Sequence, residues 1–93
     1  MYNRDIERLL ELLSTFFYKS EMYRKENLIF IKVRGFDYVL EVMNGTVDIN
    51  RNGSVVGVGF DTDLSKMAMR LARIIEKDSV REKVLLKRTE KKS

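Results

Sequence analysis

Two Asn-Gly pairs, Asn44-Gly45 and Asn52-Gly53, stand eight residues apart in a stretch of alternating β-branched residues. A two-residue type I′ turn needs positive φ at both central positions, which asparagine and glycine tolerate, and its twist matches that of the strands it joins. The chain around these pairs is thereby committed to antiparallel hairpins. Read as two-residue loops, the turns set Val42 opposite Val47, Leu40 opposite Ile49, Ile49 opposite Val56 and Val47 opposite Val58, all on one sheet face. A one-residue slip at either turn would put Asp48 or Glu41 among the valines, so the apolar pattern supports the turns independently.

The period of two begins at Asn27. Arg34-Gly35 is a less favourable turn, because arginine is a poor occupant of positive φ, but as a two-residue loop it pairs Lys32 with Asp37 and Ile31 with Tyr38. The expectation is a four-stranded meander with strands at about 28–33, 36–43, 46–51 and 54–60. Ile29, Ile31, Val33, Phe36, Tyr38, Leu40, Val42, Val47, Ile49, Val56, Val58 and Phe60 belong to its inner face. Leu28, Phe30, Lys32, Asp37, Val39, Glu41, Met43, Thr46, Asp48, Asn50, Val55, Gly57 and Gly59 belong to its outer face.

On either side of the sheet the apolar period changes to that of a helix. Ile6, Leu9, Leu10, Leu13, Phe16 and Phe17 form one face of a helix expected over about 4–23, with Asn3 as its cap and Asp5 and Glu7 at the positive end of its dipole. Leu64, Met67, Ala68, Leu71, Ile74 and Ile75 do the same for a helix over about 62–77, capped by Asp61 or Thr62. Ser79-Val80-Arg81-Glu82 fits a capping box, which predicts a break near Asp78 and a short helix over about 80–87; one continuous bent helix is the alternative. Residues 88–93 read as a frayed tail. The fold class is α+β, a two-layer sandwich with the helices on one sheet face, and 93 residues suffice for one domain.

The chain has no cysteine and no histidine. Disulfides, thiolate or imidazole metal sites and Ser-His or Cys-His catalysis are excluded, so no enzyme activity and no cofactor are expected. No apolar run is long enough for a membrane span and no secretory signal is visible, which favours an intracellular, cytoplasmic protein without small-molecule substrate. The absence of Gln, His, Cys, Trp and Pro beside abundant Lys, Arg and Glu leans towards a thermophile.

Net charge is +4, unevenly placed. Residues 1–63 hold 8 basic and 10 acidic side chains, residues 64–93 hold 10 basic and 4 acidic. Lys66, Arg70, Arg73 and Lys77 recur at one-turn spacing on the side of the second helix opposite its apolar face, and Arg81 extends the row if the helix continues. Such a row can follow a phosphate backbone, DNA or RNA, although a solvated helix face is also simply polar. No zinc ligands, GXXG loop or RNP-type aromatic pattern points to base reading.

Three further features stand out. Glu41 and Asp48 are directly opposite, a destabilising like-charge pair; two carboxylates suit a divalent cation, but a third ligand is missing. The fourth strand carries neither charge nor proline to block edge pairing, and with Phe30, Val39, Val55, Gly57 and Gly59 on the outer face it suggests a homodimer. Tyr38 opposite Arg51 reads as a cation over a ring. The residues thus point first to a small non-catalytic protein that contacts nucleic-acid backbone through its basic C-terminal helix with little sequence specificity. The alternative is a protein-interaction or structural module, a homodimer whose basic face is merely solvated. A carboxylate-metal enzyme comes third.

Overall fold

A computed structural model describes the backbone of residues 3–92 and the side chains of residues 3–89. Helix α1 (Asn3–Phe16) leads into five strands, β1 (Met22–Lys25), β2 (Leu28–Val33), β3 (Phe36–Val42), β4 (Thr46–Arg51) and β5 (Ser54–Phe60), and helix α2 (Leu64–Lys92) closes the chain. The sheet is an antiparallel meander in the order β1-β2-β3-β4-β5. Both helices pack on its inner face. Leu9 and Leu13 of α1, Met67, Leu71 and Ile75 of α2, and Ile29, Leu40, Val47 and Ile49 of the sheet are fully buried together.

The sheet has five strands where four were expected. The first helix ends at Phe16 instead of near residue 23, and Met22–Lys25 pairs with β2 through a turn at Glu26-Asn27. Glu26 holds a φ of 56° there, a conformation that glutamate seldom adopts, which is why the sequence carries no hairpin signature at this point. Ser14 and Thr15 return their hydroxyls to the carbonyls of Glu11 and Leu12, a local competition that weakens the last helical turn. Arg24 then ties β1 back to α1 by donating to Glu7 and to Asn3 Oδ1.

The registers of β2 with β3 and of β3 with β4 follow the turns, with Ile31 opposite Tyr38, Leu40 opposite Ile49 and Val42 opposite Val47. Arg34 and Gly35 both have positive φ, as do Asn52 and Gly53, but at Asn44-Gly45 only the glycine does, so that loop keeps the expected register without the type I′ conformation. Strand β5 departs from expectation. A bulge between Ile49 and Asn50 in the pairing leaves Val56 as an extra residue, so Ile49 faces Gly57 and Val47 faces Gly59, not Val56 and Val58. Gly57 and Gly59 therefore point inward and not onto the outer face. Val58 and Phe60 turn outward instead, Phe60 with 61% of its surface exposed.

The two glycines let α2 lie directly on the strand. A Cβ on Gly57 would stand 2.5 Å from Ile74 Cγ2, and one on Gly59 would stand 2.7 Å from Leu71 Cδ2. Helix α2 is continuous through Ser79, with no break and no separate third helix. It starts under Asp63, whose Oδ1 accepts the Lys66 amide at 3.1 Å, so the cap is Asp63 and not Asp61 or Thr62. The segment from 88, expected to fray, is helical through Lys92; Ser93 lies outside the described residues.

Candidate functional site

The outward side of α2 carries every member of the expected basic row. Lys66, Arg70, Arg73, Lys77 and Arg81 are all exposed, and at 1.5 Å of rise per residue they span about 22 Å of one helix face. Beyond them Lys83, Lys87 and Arg88 are exposed on the part of α2 where Val84, Leu85 and Leu86 are also about half exposed. Two of the cations have partners: Arg70 approaches Asp61 at 3.4 Å and Arg81 approaches Asp78 at 3.3 Å. Both arginines remain at least 60% exposed, whereas their carboxylate partners Asp61 and Asp78 are 16% and 4% exposed. Among the described residues, Lys66, Arg73 and Lys77 form no ion pair.

Three carboxylates of the helix, Glu76, Asp78 and Glu82, reach towards arginines of the sheet side. Asp78 is 4% exposed and its Oδ2 accepts from the Tyr38 hydroxyl at 2.6 Å and from Arg51 Nε at 2.7 Å. Arg51 also reaches Glu82 at 3.1 Å. Two residues before Asp78, Glu76 takes two donors from Arg34, whose Nη1 also donates to the Ser79 hydroxyl at 3.1 Å. Ser79 is fully buried and donates to the Glu76 carbonyl. The capping-box reading fails for this reason: both members of the Ser79–Glu82 motif are engaged by arginines of the sheet turns, and neither is needed at a helix start.

Electrostatics follow from these contacts. Burial raises the Tyr38 hydroxyl far above its ordinary pKa, and the hydrogen bond to Asp78 adds to that. For Asp78 burial acts upward as well, but the hydrogen bonds from Arg51 and Tyr38 and the charges of Arg51 and Arg81 outweigh it and hold the carboxyl below its usual value. Glu76 is lowered by its hydrogen bonds from Arg34. At neutral pH Asp78 and Glu76 are thus both ionised and matched to cations from the sheet or from their own helix. Tyr38 and Arg51 are opposite as expected, but a shared carboxylate oxygen joins them and not a cation over a ring.

Sequence reasoning misses this network, though its trace is there. Strand parity places Arg51 on the inner face with Tyr38, and helical spacing places Asp78 on the apolar face, three residues after Ile75 and seven after Leu71. A cation and a carboxylate each directed at one core call for each other.

Of the expected dimer contacts, Phe30, Val39 and Val55 lie on the outer sheet face, whereas Gly57 and Gly59 lie beneath α2. Glu41 is opposite Asp48 as expected, and among the described residues no cluster of three or more acidic side chains is placed to hold a metal ion. No protein family, no curated protein and no solved structure matches this chain.

Proposed function

We propose that this protein binds the phosphate backbone of nucleic acid through the outward face of α2, with little preference for base sequence. The observation that carries the reading is the sorting of charge on one helix. Glu76, Asp78 and Glu82 are drawn towards Arg34 of the β2–β3 turn and Arg51 at the end of β4; Arg81 shares Asp78 and Glu82 with Arg51, and with Lys66, Arg70, Arg73 and Lys77 it forms a cationic row exposed to solvent. Had the same acids stood among these cations, i,i+4 pairing would have neutralised the row. Each phosphate met by such a cation releases condensed counterions, and that release is the main source of sequence-independent affinity. The guanidiniums of Arg70 and Arg81 stay largely exposed beside their carboxylates, and each has further N–H donors to offer a phosphate.

Fluorescence anisotropy with labelled mixed-sequence duplex DNA and single-stranded RNA, at about 50 and 200 mM salt, tests the reading. Five phosphates neutralised predict a loss of affinity on the order of 10²–10³-fold between those conditions. Equal affinity for unrelated sequences is expected; an absence of binding at the lower salt would refute the proposal.

A further inference from the structure

We infer that the outer face of the sheet is a self-complementary interface on which a second copy of this chain docks, sheet against sheet. Both helices lie on the inner face, so among the described residues nothing of the chain covers the outer face. Tyr23 and Phe30 stack there with centroids 4.6 Å apart and planes 10° apart, and Tyr23 and Val55 are each nearly 60% exposed.

Charge identifies the occupant. Within the strands, the positive side chains of this face, Lys25 and Lys32, belong to β1 and β2, and the negative ones, Asp37, Glu41 and Asp48, belong to β3 and β4; just ahead of β1, Glu21 lines the same face beside Lys32 and Asp37. Among the described residues none of the five strand residues forms an ion pair, although Glu41 stands directly opposite Asp48. Like charges so placed destabilise a sheet that has no counterion for them.

A two-fold axis parallel to the strands, passing between β2 and β3, lays β1 over β4 of the second copy and β2 over its β3. The registers then settle the pairing. Lys25, Leu28, Glu41 and Asp48 share one cross-strand row, so Lys25 meets Asp48 of the second copy, within reach of its Glu41. Lys32 and Asp37 share another row and meet likewise. Phe30 lies over Val39 of the second copy, and the aromatic pair is covered. Two pairings, Lys25 with Asp48 and Lys32 with Asp37, supply counterions that each copy lacks, and each occurs twice, as two-fold symmetry requires. The basic faces of the two α2 helices remain on the outside, so this inference stands independently of nucleic-acid binding.

Sedimentation at micromolar concentration should give the parent about twice the 11.0 kDa chain mass. Lys25→Glu alone sets two acidic clusters against each other, and Asp48→Lys alone sets two lysines together, so each should weaken dimerisation roughly tenfold or more. Mixed in equal amounts, the two variants restore both pairings, since the new Glu faces the new Lys and the native Lys25 faces the native Asp48. The mixture should therefore sediment as a dimer although each component alone does not. That recovery cannot come from misfolded chains, and circular dichroism of each variant checks the fold directly. A parent that stays at the single-chain mass, variants that dimerise like the parent, or a mixture that stays monomeric would each overturn the interface.

Discussion

Asp78 is the residue on which the inner side of α2 depends. It is buried, ionised, and held by a tyrosine hydroxyl and a guanidinium on the same oxygen. Removing the hydroxyl with Tyr38→Phe takes away one charge-assisted hydrogen bond and is expected to cost about 1.5–3 kcal/mol in denaturant unfolding. Asp78→Asn leaves Arg51 one-fifth exposed and still paired with Glu82, so its cost should fall near the low end for a broken buried pair, about 3 kcal/mol. The folded-state pKa values of Asp78 and Glu76 both lie below their ordinary values. Their stabilisation is therefore complete above the unfolded carboxyl range, about pH 4, and is lost as pH falls through the lower folded values. Thermal unfolding should show a midpoint that is flat from pH 7 to about 5 and falls below about 4, with a shallower fall in Asp78→Asn. The network is only half legible in the sequence: parity exposes Tyr38 and Arg51 as inward-facing, but the partner lies 27 residues further on, in a helix whose capping-box motif draws attention away from burial.

Among the four strands expected from the sequence, those that carry charged residues keep their expected register and the uncharged one does not. Glu41 and Asp48 fix the register of β3 and β4, because a slip would carry them into the core. Strand β5, Ser54–Phe60, has no charged residue to report a slip, and its Val55-Val56 run absorbs the bulge without burying a polar group. The consequence is measurable at Gly57. A methyl group there would meet Ile74 Cγ2 at 2.5 Å, so Gly57→Ala should destabilise by about 1–3 kcal/mol through overpacking. Adding Ile74→Ala should cost less than the sum of the two single changes, since the two side chains compete for one space. Helix α2 offers a second check. In a continuous helix the amides of Val80, Arg81 and Glu82 are bonded to carbonyls one turn back, whereas at a helix start they would be unpaired. Hydrogen exchange should therefore find them protected. β1 escapes notice because its turn uses Glu26 at positive φ instead of an Asn-Gly pair.

At the scale of the whole molecule, one sheet separates two surfaces of different character. Its inner side is closed by α1 and α2, and the far side of α2 presents the cationic row; its outer side presents apolar and oppositely charged halves. The arrangement follows from where the acids of the last third of the chain go. With Glu76, Asp78 and Glu82 matched to arginines, Lys66, Arg70, Arg73, Lys77 and Arg81 stand exposed along the outward helix face. The basic row itself is legible, because helical spacing alone places Lys66, Arg70, Arg73 and Lys77 together. The removal of acids from its neighbourhood is not, because it depends on ion pairs between the helix and the sheet turns. The salt dependence of nucleic-acid binding by the parent and by a variant with Arg70, Arg73 and Lys77 all changed to Gln tests this most directly. For duplex DNA the log-log slope should flatten by about 0.9 for each phosphate no longer neutralised, up to about 2.7 in all, while the unfolding transition stays where it was. An unchanged slope, or a parent that does not bind at low salt, would contradict the account.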